Sequence, residues 1–345
     1  MRIETIDPIA EPAWEEFVRG TEHATAFHSA AWAKVLHDTY DFEPRYLVAR
    51  NGGGITAGMP LFWVNGKRLV GLPFSDLCPP LLPESSDGEA LIAAAKAAVE
   101  NGGAKALELR GAPELDLESR GLHKTASFLQ HTLPIDAPLA ELEARMRSSV
   151  RRAIAQARSA GLTVRRSTSG EDMQRFYALN IKTRRKHGLV PQPWRFFQSI
   201  QRHAMEEGEG FLLLCDLEGV TIAADLLLAH GGKLVSKFNA SDASFLSLRP
   251  NHLIFQATIE LALAEGYTSI HLGRTDLDHA GLRRFKLSFG SEEQPLDYYG
   301  YPAESAGSWS TASAPPGHRL MAWFVRYAPS WALRLAGSVL YKHAA

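Results

Sequence analysis

The chain has 345 residues, 45% of them hydrophobic and 22% charged, a content that supports a buried core and excludes a disordered chain. Its 37 Lys and Arg against 38 Asp and Glu leave a net charge of −1, which excludes holding nucleic acid by bulk positive charge. Two cysteines, Cys78 and Cys215, are too few for a disulfide framework and predict a reducing compartment.

The N-terminal stretch MRIETIDPIAEPAWEEF carries acids where a secretory leader requires an apolar run. No apolar run is long enough to span a bilayer, so the expected location is the cytoplasm. A helix is predicted over Ser29–Tyr40, with Ser29 as its N-cap. Residues 45–111 then read as strand RYLVAR, turn NGGG, strand ITAGMPLFWV, turn NGK, strand RLVGLPF, a loop, an Ala-rich helix and strand KALELRG. Next comes one apolar-striped helix over Pro138–Ala160, built on Leu139, Leu142, Met146, Val150 and Ile154. Two further helices follow, one capped by Ser169 and closed by Gly188, one opened by Pro193.

Residues 211–274 repeat the first order: FLLLCD, turn LEG, VTIAADLLLA, turn HGG, KLVSKFNAS, a loop, the helix NHLIFQATIELALAEG and strand TSIHLGR. The helices of both copies end at glycines, Gly102 and Gly266, suited to a left-handed cap. Matched order and spacing point to a duplication. The expected division is a first unit over 1–135, a second over 136–304, a Ser/Ala/Pro-rich linker over 305–317 and an amphipathic helical tail over 318–345 broken near Pro329.

No P-loop, dinucleotide glycine fingerprint, zinc motif or nucleophile elbow is present, and the 13 histidines lack ligand spacing, so no metal is expected. Gly52–Gly54 sit in a hairpin turn, not at a strand–helix junction. Charge is nevertheless segregated: residues 145–186 hold 12 Arg and Lys against Glu171 and Asp172, a local balance of +10. This segment reads as a solvated helix face or as a docking surface for a phosphate, with Arg151 and Arg152 as candidate phosphate ligands. Arg184 and Arg185 close the next helix. Arg274 and Asp276 leave the end of a predicted parallel strand, where ligands bind in α/β sheets, or simply pair with each other. Phe74 and Asp76 lie on the Pro-rich loop after the third strand, which reads as a cleft wall or a rigid connector. Asn239 and Tyr298 complete the candidate substrate-binding set.

The stretches FHSAAWAKVL, LPFSDLCPPLL, RSSVRRAIAQARSAGLTV, FYALNIKTRRKHGLVPQP, LRPNHLIFQATIELALAEGYTSIHLGR and GLRRFKLSFG, in this order, resemble the FemAB-like proteins. These are related to the peptidoglycan bridge-forming aminoacyltransferases of the GNAT superfamily. Within that family the chain resembles a proteobacterial subgroup associated with exopolysaccharide and protein sorting. The resemblance implies an α/β (α+β) chain of tandem GNAT-like acyltransferase folds, each a mixed sheet flanked by helices. It implies transfer of an acyl or aminoacyl group to an amine of a cell-envelope precursor or polysaccharide, by direct attack and without a covalent enzyme intermediate. It also implies that Lys286, in the Phe285-Lys286 pair, stabilises charge at the acyl-transfer site.

The donor is then a cosubstrate, aminoacyl-tRNA or acyl-CoA, with no tightly bound cofactor. Leu36 stands where the bridge-forming enzymes often carry a phosphate-binding Lys. Leu248–His252 replaces the usual GNAT pyrophosphate loop, and Pro250 removes one amide donor there. An acyl-CoA-dependent acetyltransferase acting on an amino sugar, and a non-catalytic glycan- or phosphate-binding scaffold, are the alternatives. The aromatic and cationic tail reads as a packed helix or as a peripheral contact with the inner face of the membrane, and the acceptor end of tRNA is a further candidate partner.

Overall fold

A computed structural model of the chain describes residues 2–83, 86–111, 115–303 and 325–341. Its first elements are β1 (Arg2–Ile6), α1 (Pro12–Gly20), α2 (Ala30–Tyr40), β2 (Glu43–Pro44), β3 (Tyr46–Asn51), β4 (Gly54–Met59), β5 (Phe62–Val64), β6 (Arg68–Val70), α3 (Ser86–Glu100) and β7 (Ala106–Arg110). Next come β8 (His123–Pro134), α4 (Leu139–Arg145), α5 (Ser148–Ser159), β9 (Thr163–Ser167), α6 (Gly170–Lys186) and α7 (Trp194–Ile200). They are followed by β10 (Gly210–Leu217), β11 (Val220–His230), β12 (Lys233–Ser241), α8 (Pro250–Ala264), β13 (Ser269–Asp276), α9 (Ala280–Leu287), β14 (Glu292–Tyr301) and α10 (Ser330–Leu340). No helix among the described residues is long and apolar enough to cross a membrane.

Two compact units result: Met1–Leu129 with Pro295–Ala314 and Tyr341–Ala345, and Gln130–Gln294 with Pro315–Leu340. The chain passes between them within β8 and again within β14. Unit 1 takes back the second half of β14 because Tyr298–Tyr301 pair antiparallel with Leu107–Arg110 of β7. The expected linker over 305–317 lies outside the described residues.

In unit 1, β3 pairs antiparallel with β1 and β4, while β5 pairs with β2 and β6, and β6 runs parallel to β7 after the α3 crossover. The single strand expected over ITAGMPLFWV is two strands in two sheets. Pro60 lies between them; it has no N–H to donate to a ladder, and pairing stops there. Leu61, Leu69, Leu91, Ile92 and Leu107 are buried around α3.

In unit 2 the strand order is β8, β13, β12, β11, β10, β9. The hairpins β10–β11 and β11–β12 are antiparallel, and α8 carries the chain to β13, parallel to β12. This is the predicted strand–strand–strand–helix–strand order. The helix caps also sit at the predicted residues. Ser29 Oγ accepts from the Trp32 amide, Ser169 Oγ accepts from the Asp172 amide, and Gly188 follows α6 with φ +68°. One apolar core joins α4, α5 and α8 to one sheet face, through Leu142, Val150, Ile154, Leu213, Leu227 and Ile254.

The single helix expected over Pro138–Ala160 is two. Met146 and Arg147 are extended, and the Arg147 amide donates to the Ser288 carbonyl at 2.9 Å, a tertiary bond that no helical period reveals. Likewise α7 ends at Ile200 and continues as a π-helical turn over Gln201–Met205. Near the C-terminus the break falls at Pro329, just ahead of α10.

Candidate functional site

The register of β12 with β13 covers only Lys233–Val235 against Ser269–His271, although β12 runs on to Ser241 and β13 to Asp276. The two strands part after Val235 and His271. On its other side β12 carries a bulge: Leu226 faces Phe238 and Leu227 faces Ser236, so Lys237 is the extra residue. A parallel pair opening at its carboxyl end leaves backbone groups available to a ligand, the place where α/β sheets put their sites.

Gly273, the second residue of β13 past the pairing, has φ +71°, and its carbonyl accepts from Lys286 Nζ at 2.8 Å. The same ammonium donates to Arg274 O at 3.1 Å and to Thr275 Oγ1 at 2.9 Å. Lys286 is 4% exposed, so α9 delivers a buried cation to the end of β13. Behind it, on β8, His131 is fully buried with neither ring nitrogen hydrogen-bonded. Burial, then the charge of Lys286, pushes its pKa down to about 4, which keeps the imidazole neutral.

A cavity of about 500 Å³ opens beside α9. Arg147 and Arg152 reach it from the start of α5, Arg249 and His252 from the start of α8, Arg284 and Phe285 from α9. Neither α5 nor α8 has a capping side chain, so their first-turn amides are not satisfied by one. Among the described residues none of the four arginines has an ion-pair partner. Two helix N-termini and four guanidinium groups around one cavity set up a positive potential that favours an anion. His252 packs edge-on against Phe285 at 5.2 Å; burial and then Arg249 push its pKa down.

The structure places the sequence candidates in several groups. Phe285 and Arg152 line this cavity, while Lys286, the next residue on α9, turns instead to the end of β13, where Arg274 and Asp276 also lie. Arg151 donates to the Glu143 and Met146 carbonyls, bracing α4. Arg184 donates to Val190 O and Arg185 to Ala328 O, tying the end of α6 to its neighbours. Asn239 lies on β12 opposite Asp225. Phe74, Asp76 and Tyr298 belong to unit 1. There Phe74, with φ +59°, packs on Tyr40 and Phe42, and the Tyr298 hydroxyl donates to Asp76 O at 2.6 Å.

Sequence reasoning passed over Arg249 and Arg284. The signal was there in part: a cation directly before a Pro at helix N1, and a second one in the turn before Lys286. It also passed over Asp225 on β11, 1% exposed, whose Oδ2 accepts from Ser236 Oγ at 2.7 Å and whose Oδ1 has no partner. A lone acid inside VTIAADLLLA is the signal that would have found it.

Residues 144–286 match the family described as an acetyltransferase (GNAT) domain. No curated protein sequence matches the chain. Among solved structures, the crystal structure of FemX aligns with a TM-score of 0.70 at 18% identity, covering 86% of this chain and 97% of that one. The C-terminal domain of a putative lysylphosphatidylglycerol synthetase from Agrobacterium fabrum aligns at 0.63 and 13% identity, over 88% and 94%. A tandem GNAT protein from the clavulanic acid biosynthesis pathway aligns at 0.55 and 12%, over 87% and 97%. At these identities the likeness is one of fold. The chain is a mixed α/β protein whose fold is similar to that of FemX and of a tandem GNAT protein, and residues 144–286, within its second unit, match the acetyltransferase (GNAT) domain.

Proposed function

We propose that the protein is an N-acyltransferase that takes an acyl or aminoacyl group from a phosphate-bearing donor and passes it to an amine of a cell-envelope precursor or polysaccharide. The observation that carries this reading is the cavity where Arg147, Arg152, Arg249 and Arg284 converge without acidic partners among the described residues, inside the segment that matches the GNAT domain. An aminoacyl-tRNA end and an acyl-CoA share that chemistry: each presents phosphates together with an activated ester or thioester.

In the reaction the amine nitrogen attacks the acyl carbonyl carbon. The C–N bond forms and the carbonyl becomes an oxyanion; the carbonyl then re-forms as the C–O or C–S bond to the carrier breaks, and the proton lost by the nitrogen ends on the departing oxygen or sulfur. No enzyme nucleophile is required; placement of the two substrates and stabilisation of the oxyanion suffice. Lys286 supplies positive charge at the parted strand end, and the cavity anchors the donor's phosphates one helix away. We place the reaction in the cytoplasm, where such donors are made.

Calorimetry of the full chain with acetyl-CoA and, separately, with aminoacyl-tRNA tests the reading and names the donor. Saturable binding of one, weakened by Arg249→Ala, is the expected result. Binding of neither overturns it.

A further inference from the structure

The described residues of the C-terminal segment present an uncovered apolar face on a helix that is itself firmly docked. The inner side of α10 is fixed: Leu333 is fully buried, and a Cβ placed on Gly337 would stand 2.3 Å from the Pro191 carbonyl oxygen. Only glycine permits that approach. The Ala328 carbonyl accepts from Arg185 at 2.8 Å, and the Arg334 guanidinium lies 5.3 Å from the Tyr177 ring centre. On the outer side Leu335 is 62% exposed and Val339 57%, with Tyr327 at 65% just before the helix. Leu189, 42% exposed, stands two residues before Pro191.

Large apolar side chains exposed together on a fixed element mark an interaction surface. The charge around them selects the partner. Residues 305–345 contain Arg319, Arg326, Arg334 and Lys342 and no Asp or Glu. Arg326 and Arg334 are exposed beside the apolar residues, and Lys186, exposed, ends α6 close to Leu189. A second protein copy would bring the same cations against themselves. An anionic lipid surface accepts both halves of the pattern, with side chains entering the acyl boundary and guanidinium groups meeting phosphates. At about 16 Å, α10 is too short to span a bilayer but long enough to lie in its surface.

We propose that α10 and the residues just before it dock the protein peripherally on an anionic membrane surface through Tyr327, Leu335 and Val339, with Arg326 and Arg334 as electrostatic contacts. The proposal does not rest on the acyl-transfer reading.

Flotation of the full chain with vesicles tests it, using phosphatidylcholine alone and phosphatidylcholine with about one-third phosphatidylglycerol. The expected result is recovery with the anionic vesicles only, weakening as salt rises. Leu335→Glu/Val339→Glu should lower recovery by about tenfold or more, and Arg326→Glu by about fivefold. Circular dichroism establishes that the double variant folds; should it not, the exposed Arg326→Glu carries the test alone. Both variants should keep their thermal shift with inorganic pyrophosphate at the arginine cavity, which separates this proposal from the donor site. Absence of wild-type flotation, equal recovery with both lipids, or variants that float like the wild type would overturn it. So would concentration-dependent dimers that Leu335→Glu dissolves without any vesicle binding, since a second copy would then own the face.

Discussion

The Lys286 ammonium donates to the Gly273 carbonyl oxygen at 2.8 Å, and its two remaining protons are taken by Arg274 O and Thr275 Oγ1. The charge is therefore held against the end of β13 where that strand parts from β12. To stabilise an oxyanion directly, Lys286 must exchange one of these acceptors for it. Lys286→Ala is expected to lower turnover by a factor of ~10²–10³, as loss of an oxyanion donor does. Donor affinity, read by calorimetry at the arginine cavity, should change far less. Turnover at the wild-type level would show that Lys286 only braces the strand.

Arg249 and Arg284 approach the same cavity from different helices, and neither has an acidic partner among the described residues. Each is available for a charge-assisted bond to phosphate, worth roughly 1.5–3 kcal/mol. Arg249→Ala and Arg284→Ala should each weaken inorganic pyrophosphate by about ten- to a hundredfold in calorimetry. Arg151→Ala, whose side chain instead braces α4, should leave that affinity within about threefold. If Arg151→Ala is the more damaging change, the anion site is misplaced.

Local chemistry wrote most of the fold into the sequence. Glycine turns, the Ser29 and Ser169 caps, and the order of strands and helices in the second copy depend on near neighbours alone. What escaped depends on distant ones. The break at Met146–Arg147 follows from a bond to Ser288, far along the chain, and Pro60 divides a strand that its apolar residues would continue. The arginine cavity gathers α5, α8 and α9, so the basic segment over 145–186 showed one wall, and Arg249 and Arg284 needed the fold to join it. The Phe285-Lys286 pair was legible through resemblance, its three-acceptor cradle only through coordinates.

Asp225 is buried on β11 with a single hydrogen bond, from Ser236. Burial raises its pKa from 3.8 to about 7, against a smaller downward effect of Ser236, and no ionised neighbour contributes. In the unfolded chain the same carboxyl ionises near its ordinary value. Between about pH 4 and pH 7 the folded state thus holds a proton that the unfolded state has released. Stability from this group is full below the ordinary value and is lost as pH rises through that window, at about 1.4 kcal/mol per pH unit. Denaturant unfolding across this range should show the slope in the wild type and its absence in Asp225→Asn. Identical slopes would mean that water or another residue already satisfies the ionised carboxylate.

Asp172 has the opposite shift. Arg165 grips its two oxygens at 2.6 and 2.7 Å, Arg175 adds a bond at 2.8 Å, and its amide donates to the Ser169 cap. The Arg165 bonds hold the carboxyl well below the usual range, although burial opposes them. It also sits in the first turn of α6, where the helix dipole favours an anion. Arg165 is bonded to Asp216 as well, at 2.7 Å, and is partly exposed, so removing Asp172 does not strand a bare buried cation. The cost of Asp172→Ala is therefore expected below that of breaking a fully buried pair, at about 1–3 kcal/mol. Here the folded pKa is depressed. The contribution is full above the ordinary carboxyl value and is lost as pH falls through the folded one. The wild type should lose stability steeply below about pH 4, and Asp172→Asn should lack that part of the acid limb. A double-mutant cycle with Arg165→Met isolates the pair, and a coupling energy near zero would place the effect of Asp172 in the helix cap instead.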